Sequence, residues 1–413
     1  MEKILFYYLY IDPGTGSALF SIAIGIAVTV YFLARGLFLK LSTGIFRRNK
    51  LNQTCDKYVI YAEDKRYCHY FEPVLDQFEE RKIEIIYLTT SSDDPVFTSK
   101  YKYTKGKFIG HGNKAYAYLN FLSADFVLTT TPHLDVFQWK RSKNVKHYSN
   151  MIHGAGGAVL YRLFSFDYFD SVLVAGENEV KELKMIEKYR EQKEKQILIA
   201  GNTFFDRYSE LLKDLPKEEE HRFTVLVSPS WGPNALFSVY GEKLLDPLSV
   251  SGWRIIIRPH PQSLIVEKQL LDKLYDKYKD NHNIEWDYNS DNIYSLSKSD
   301  IMISDFSAII FDYVFLFNKP VIINTQNLDF RRLDAQDMDT EPYFLQAIKK
   351  IGIELSDINL SEIKQMIFNI SQNKELNEIR EEIKKVMWMH QGEAGRRIAD
   401  FMIETAEKIN KNI

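Results

Sequence analysis

Cysteine is nearly absent. Cys55 and Cys68 are the only two in 413 residues, too few for a disulfide framework or a cysteine-based zinc site, and they read as reduced thiols of a cytosolic protein. An excess of either charge is missing too: 53 Lys and Arg stand against 56 Asp and Glu, a net charge of −3. A chain so balanced has no global attraction to nucleic acid, so any phosphate binding must be local. No GxxxxGK[ST] loop, HExxH pair or GxSxG elbow occurs, which argues against an ATPase, a zincin or a serine hydrolase. Internal repeats and low-complexity tracts are also lacking. What is present is 45% hydrophobic residues, with 25 Tyr and 27 Phe, enough for a large packed core in two domains plus an appendage.

The run from Pro13 to Ala34 carries no charge, and at 1.5 Å per residue it makes about 33 Å of helix, enough to cross a hydrocarbon layer. It lacks the basic start and small-residue cleavage site of a secretory signal. Arg35, Lys40, Arg47, Arg48 and Lys50 follow it before the next acid, Asp56. The positive-inside tendency therefore predicts a single-pass plasma-membrane (inner-membrane) protein with the bulk of the chain in the cytoplasm. Tyr7, Tyr8 and Tyr10 would sit at the outer headgroups, and Arg47 and Arg48 near anionic inner lipids.

From Lys57 onward, short β-rich runs alternate with helical stretches, the pattern of parallel sheets covered by helices. Strands are predicted at 58–62, 83–88, 126–130, 146–152, 171–175 and 196–200, with helices such as 70–81 and 177–190 between them. The polar stretch 212–222 reads as a linker. The rhythm restarts with strands at 224–227, 254–257, 301–303 and 321–323, and the chain is mainly helical after Gln346. The expected fold is α/β: two Rossmann-like domains facing across a cleft (GT-B), with an N-terminal transmembrane helix and C-terminal helices. The boundaries are 1–50 for the anchor and basic segment, 51–215 for an acceptor domain, 216–385 for a nucleotide-donor domain and 386–413 for a C-terminal helix.

Ligands of open α/β sheets bind beyond the carboxyl ends of the strands, so the residues after each strand carry the chemistry. His153 ends a strand and is followed by Gly154, Gly156 and Gly157; its imidazole suits a general base, and the glycines allow close backbone approach to a ligand. His111 precedes Gly112 without the extra glycines and reads as a structural or acceptor-side residue. In Arg258-Pro259-His260-Pro261 the prolines stiffen a loop that presents a forked cation and an imidazole to a diphosphate. Ser304, Asp305 and Ser307 open an apolar helix whose free amides suit phosphate oxygens; Asp312, two turns further, would orient a His or Arg or accept from a substrate hydroxyl. Ser228 and Ser230 point toward the same cleft, with Trp231 able to stack on a base or ring. Arg396 and Arg397 start the last helix. Asp337 and Asp339 form only a superficial DxD pair in a polar loop, so no metal and no cofactor is expected.

The His153-Gly154 pair, the Arg258–Pro261 run and the segment from Ser304 to Ile322 together resemble the CDP-glycerol glycerophosphotransferase family, which includes teichoic-acid primases and polymerases. The likeness is strongest from Val225 to about Pro320, with weaker stretches at His147–Gly201 and Gly392–Arg397. The resemblance implies a GT-B fold and transfer of glycerol phosphate from CDP-glycerol, or a similar CDP-alcohol, to a hydroxyl of a lipid-linked or polymeric cell-surface precursor, with release of CMP. It makes His153 and His260 the catalytic pair, with His153 deprotonating the acceptor hydroxyl while Arg258, His260, Ser304 and Ser307 hold the donor diphosphate; Gly154, Ser228, Ser230, Asp305 and Asp312, singled out by the strand-end reading, complete the expected donor-binding set. Family members usually follow the HG pair with Pro-Leu-Lys, whereas this chain has Ala155-Gly156-Gly157; relatives are commonly peripheral, whereas here a span is expected. Both departures leave the acceptor open. A GT-B glycosyltransferase using a nucleotide-sugar, and a non-catalytic scaffold with a relict nucleotide site, are the other readings.

Overall fold

The computed structural model describes residues 24–35, 55–214, 221–289, 291–326, 328–355, 360, 362–371, 373 and 375–411. The chain divides into two compact units, Met1–Cys55 and Asp56–Ile413. In the first, residues 24–35 form a helix whose apolar side chains are exposed, Ile26, Phe32 and Leu33 by 60% to 64%. Half of the expected span, residues 13–23, lies outside the described residues, as do Lys40, Arg47, Arg48 and Lys50. Among those described, no helix is long and apolar enough to cross a membrane.

The second unit holds two parallel sheets. The first comprises β1 (Asp56–Ala62), β2 (Ile85–Thr89), β3 (Thr104–Phe108), β4 (Ala124–Thr129), β5 (Val145–Met151), β6 (Ser171–Val174) and β7 (Gln196–Ile199), in the order β3-β2-β1-β4-β5-β6-β7. The second comprises β8 (Thr224–Val227), β9 (Arg254–Ile257), β10 (Ile284–Trp286), β11 (Ile301–Ile303), β12 (Val321–Ile323) and β13 (Gly352–Glu354), in the order β10-β9-β8-β11-β12-β13. Both are doubly wound, reversing direction between β1 and β4 and between β8 and β11, where a ligand crevice opens.

Near-continuous apolar runs make most of the central strands, because both faces of each sheet are covered there. Along β1, Tyr58, Ile60 and Ala62 enter one cluster, while Val59 and Tyr61 enter the other. Along β8, Val225 and Val227 face the core under the 242–249 helix, while Leu226 faces Phe311 and Val314 on the opposite side. The three strands missing from the sequence reading, β3, β10 and β13, are all sheet edges. In the stretch 212–222, Leu212–Asp214 form a short 3-10 turn, and residues 215–220 lie outside the described set.

The last helix, Ala394–Lys411, returns to the first sheet. Its Ile398, Phe401, Met402 and Ala406 pack with Phe126 and with Phe71 and Val74 of the Cys68–Glu80 helix. A Cβ on Gly395 would lie 2.3 Å from the Pro73 carbonyl oxygen, so only glycine allows this approach. Asp206 caps the turn ahead of that helix, accepting from the amides of Gly392 at 2.8 Å and Ala394 at 2.9 Å.

Candidate active site

A cavity of about 440 Å³ opens where strand ends of both sheets meet. From the first sheet come His69 and Tyr70 after β1, His153 after β5, and Phe204 and Tyr208 after β7. The second sheet contributes Ser228 after β8, Arg258 and His260 after β9, Asp291 and Asn292 after β10, and Ser307, Ala308, Ile309 and Asp312 after β11.

His153 is boxed in by aromatic edges, with the rings of Tyr67 at 5.0 Å, Tyr70 at 5.2 Å and Tyr161 at 5.9 Å. Its Nδ1 is hydrogen-bonded to the Tyr161 hydroxyl at 3.2 Å, which leaves the Nε2 edge for the cavity. Burial, with a smaller contribution from the neighbouring His69, pushes its pKa down to about 4, so the ring is neutral at physiological pH. Burial pushes His69 down to about 4 as well.

His260 is oriented by the backbone. Its Nδ1 accepts from the Gln262 amide at 3.0 Å, which puts the proton of the neutral ring on Nε2 and makes that atom a donor without any charge. Burial lowers its pKa, with Glu267 opposing.

Arg258 lines the cavity, but its fork is committed. Nη1 donates to Asp287 Oδ2 at 2.6 Å and Nη2 to the Asn289 carbonyl at 2.8 Å. Asp287 is only 3% exposed; burial would raise its pKa, yet hydrogen bonds from Ser295 and Asn289 and the Arg258 charge hold it below the usual carboxylate range.

Ser304 and Asp305 lie behind the cavity wall rather than on it. Both are fully buried: the Ser304 hydroxyl donates to the Ser228 carbonyl at 2.6 Å, and Asp305 accepts from the amides of Ser230 at 2.9 Å and Leu236 at 2.9 Å. Burial pushes Asp305 up to about 6 despite these bonds. The pair bonds to the loop after β8, and both residues lie off the cavity lining. Ser230 is buried against Asp305 and also lies off the cavity lining, as does Gly154; Ser228 and Ser307 line it. Asp312 lines it too, partnered by Asn292 Nδ2 at 3.2 Å rather than by a His or Arg, and burial raises it to about 7. Its protonated form is thereby favoured relative to an ordinary carboxylate, and that form can donate as well as accept.

Other sequence-level candidates fall elsewhere. His111 is exposed beside Phe108. Arg397 donates to the Ile199 carbonyl, and Arg396 pairs with Glu393. Asp337 accepts from Arg190 at 2.8 Å. Among the described residues no group of three His, Cys, Asp or Glu side chains could hold a metal. His69, Tyr70, Phe204, Tyr208, Asp291 and Asn292 were missed. The strand-end rule applied to β1 and β7 finds the first four, because the helices there begin within a few residues of the strand.

A family model described as CDP-glycerol:poly(glycerophosphate) glycerophosphotransferase matches residues 180–403, more than half of the chain. The chain belongs to that family. It is thus an enzyme of the CDP-glycerol glycerophosphotransferase type, and the match takes in β8–β13 and every cavity residue the second sheet supplies. Among solved structures, the wall teichoic acid polymerase TagF, determined as a histidine-to-asparagine variant soaked with CDPG, is 14% identical with a TM-score of 0.56, over 93% of this chain and 98% of that one. The UDP-GlcNAc 2-epimerase of Methanocaldococcus jannaschii in complex with UDP-GlcNAc and UDP is 16% identical with a TM-score of 0.55, over 84% and 99%. That of Neisseria meningitidis bound to UDP-GlcNAc is 14% identical with a TM-score of 0.55, over 85% and 100%. At such identities the likeness concerns the fold, which is the GT-B arrangement of the glycerophosphotransferase. No curated protein matches the chain by sequence.

Proposed function

We propose that this glycerophosphotransferase moves glycerol phosphate from CDP-glycerol to a hydroxyl of a lipid-linked or polymeric cell-envelope precursor and releases CMP. The observation that carries the reading is that His153, with its Nε2 edge open, and His260, with a backbone-fixed Nε2–H, enter one cavity from opposite sheets. The acceptor oxygen attacks the β-phosphorus as its proton passes to His153 Nε2; the phosphoanhydride bond breaks, and the charge left on the CMP phosphate is met by the His260 Nε2–H, the Ser307 hydroxyl and the amides at the start of the Ile309–Phe317 helix. CDPG in the TagF structure supports the choice of donor. A screen of CDP-alcohols and nucleotide-sugars, read by mass spectrometry of the nucleotide released, tests it: CMP from CDP-glycerol is expected, and a nucleoside diphosphate released from a nucleotide-sugar overturns it.

The amino-terminal run, in this reading, anchors the enzyme with its catalytic sheets on the cytoplasmic side. Support comes from the uncharged sequence 13–34, the basic residues after it and the exposed apolar surface of the 24–35 helix, which water solvates poorly. Full-length protein should stay with membranes through an alkaline carbonate wash; release into the supernatant would remove the anchor. The domain roles, acceptor side at 51–215 and donor side at 216–385, belong to the same proposal.

A further inference from the structure

The glycines after His153 have a use other than ligand approach. Gly157 takes φ +86°, a left-handed conformation that favours glycine, and this lets the chain turn sharply here. The Ala158–Leu160 3-10 turn follows, and the result is that Tyr161 comes back over His153. Tyr161 is held at both ends. Its ring packs edge-on against Phe166 at 5.0 Å, and its carbonyl accepts from the Asp334 amide at 2.8 Å. The hydroxyl is thus delivered to Nδ1 by a fixed backbone, while Tyr67 and Tyr70 hold the imidazole plane.

A neutral imidazole has one proton, and the partner of one nitrogen decides what the other can do. If the proton sits on Nδ1, Nε2 presents a lone pair to the cavity and can take a proton; if it sits on Nε2, the ring can only donate there. We propose that Tyr161 is a positioning residue that accepts the Nδ1–H of His153 and so keeps the Nε2 lone pair on the cavity side, a role that rests on the proposed transfer reaction. When Nε2 takes the acceptor's proton, the imidazolium keeps its Nδ1–H bonded to the same hydroxyl, which favours the charged ring in the transition state.

The test reads the tautomer directly, without substrate. Full-length protein labelled with ¹⁵N in histidine gives long-range ¹H–¹⁵N correlations at pH 7, with the His153 signals identified by their loss in His153→Gln. The wild type should show a protonated Nδ1 and a bare Nε2. In Tyr161→Phe, which keeps the ring but not the hydroxyl, the signals should move toward the Nε2–H form. CMP release from CDP-glycerol should then fall about 10- to 100-fold in kcat with donor KM unchanged, the usual cost of removing a group that orients a functional histidine. A wild-type Nε2–H tautomer, or a Tyr161→Phe variant with the wild-type tautomer and kcat, overturns the assignment. Absence of CDP-glycerol turnover in the wild type would instead remove the functional reading, and the tautomer measurement would still decide the role of Tyr161.

Discussion

Replacing Arg258 by alanine should damage the fold before it damages donor binding. Arg258 is 9% exposed and Asp287 is 3% exposed, so alanine leaves a buried carboxylate without its cation, and the Asn289 carbonyl loses its donor. Breaking one side of a buried pair typically costs 3–5 kcal/mol, of order 4 kcal/mol here because Ser295 and Asn289 still donate to Asp287. With a denaturant slope of about 3 kcal/mol/M, the urea midpoint falls by about 1.3 M. Tryptophan fluorescence reports it, since Trp286 adjoins Asp287 in the chain. Two controls sharpen the reading. The double variant Arg258→Met, Asp287→Leu should recover most of the loss, because neither charge remains. The single variant's deficit should also shrink in acid, where the unpaired Asp287 takes up a proton and becomes neutral. A wild-type midpoint combined with weakened CDP-glycerol binding by calorimetry would refute this reasoning and return Arg258 to the diphosphate.

Ser304→Ala should cost about 1 kcal/mol of stability, the net worth of its bond to the Ser228 carbonyl, while CDP-glycerol affinity by calorimetry stays at the wild-type value. His153→Ala should lower kcat by about 10² to 10⁴ with donor affinity retained, since a base acts mainly in the transition state; an unchanged kcat would move the base, with His69 next in the cavity. Glu182→Gln addresses a carboxyl that burial pushes up to about 7, although it accepts from the Tyr343 amide at 2.8 Å. A raised folded pKa means that this group's contribution is fully present below about 4.5 and is lost as pH rises through about 7, by roughly 3 kcal/mol at 1.4 kcal/mol per unit. Urea midpoints of the glutamine variant should therefore gain on wild type across that window, and parallel pH curves would refute the assignment.

Most strands legible in the sequence are central ones buried on both faces, where β-branched runs such as Ile255–Ile257 leave no other use for so much apolar surface; the edge strand β7 was legible through its apolar Ile197-Leu198-Ile199 run. β3 was not legible because Thr104-Lys-Gly-Lys-Phe is an edge: Lys105, Gly106, Lys107 and Phe108 are exposed, and this polarity protects an edge from pairing with other chains. Within the site, the strand-end rule found His153, His260, Ser228, Ser307 and Asp312 but could not separate side chains facing the cavity from those facing the core. Ser304 and Asp305 illustrate the limit. Their residue types suit phosphate, yet the backbone of the loop after β8 needs the same hydrogen-bonding groups and lies closer. Arg258 differs in kind, since its partner Asp287 follows β10, an edge strand the sequence pattern hides.

The cavity's resting electrostatics carry a last consequence. Its histidines are held neutral, His69 and His153 at about 4 and His260 below its ordinary value, while Asp312 is raised to about 7. The one permanent cation on its described lining, Arg258, is spent on Asp287. A diphosphate entering such a site brings negative charge into a desolvated space without a free counter-ion. One group can respond by taking up a proton: Asp312 gains from losing its own negative charge, whereas His260 keeps its single Nε2 proton because its Nδ1 lone pair is filled by the Gln262 amide. Binding should therefore absorb protons, and affinity should fall as pH rises through about 7. Calorimetry of CDP-glycerol binding at pH 7 in buffers of different ionisation enthalpy measures that uptake. Net uptake in the wild type that diminishes in Asp312→Asn is expected. Zero uptake would mean that the diphosphate is met by fixed charge, and Arg258 would have to leave Asp287 to supply it.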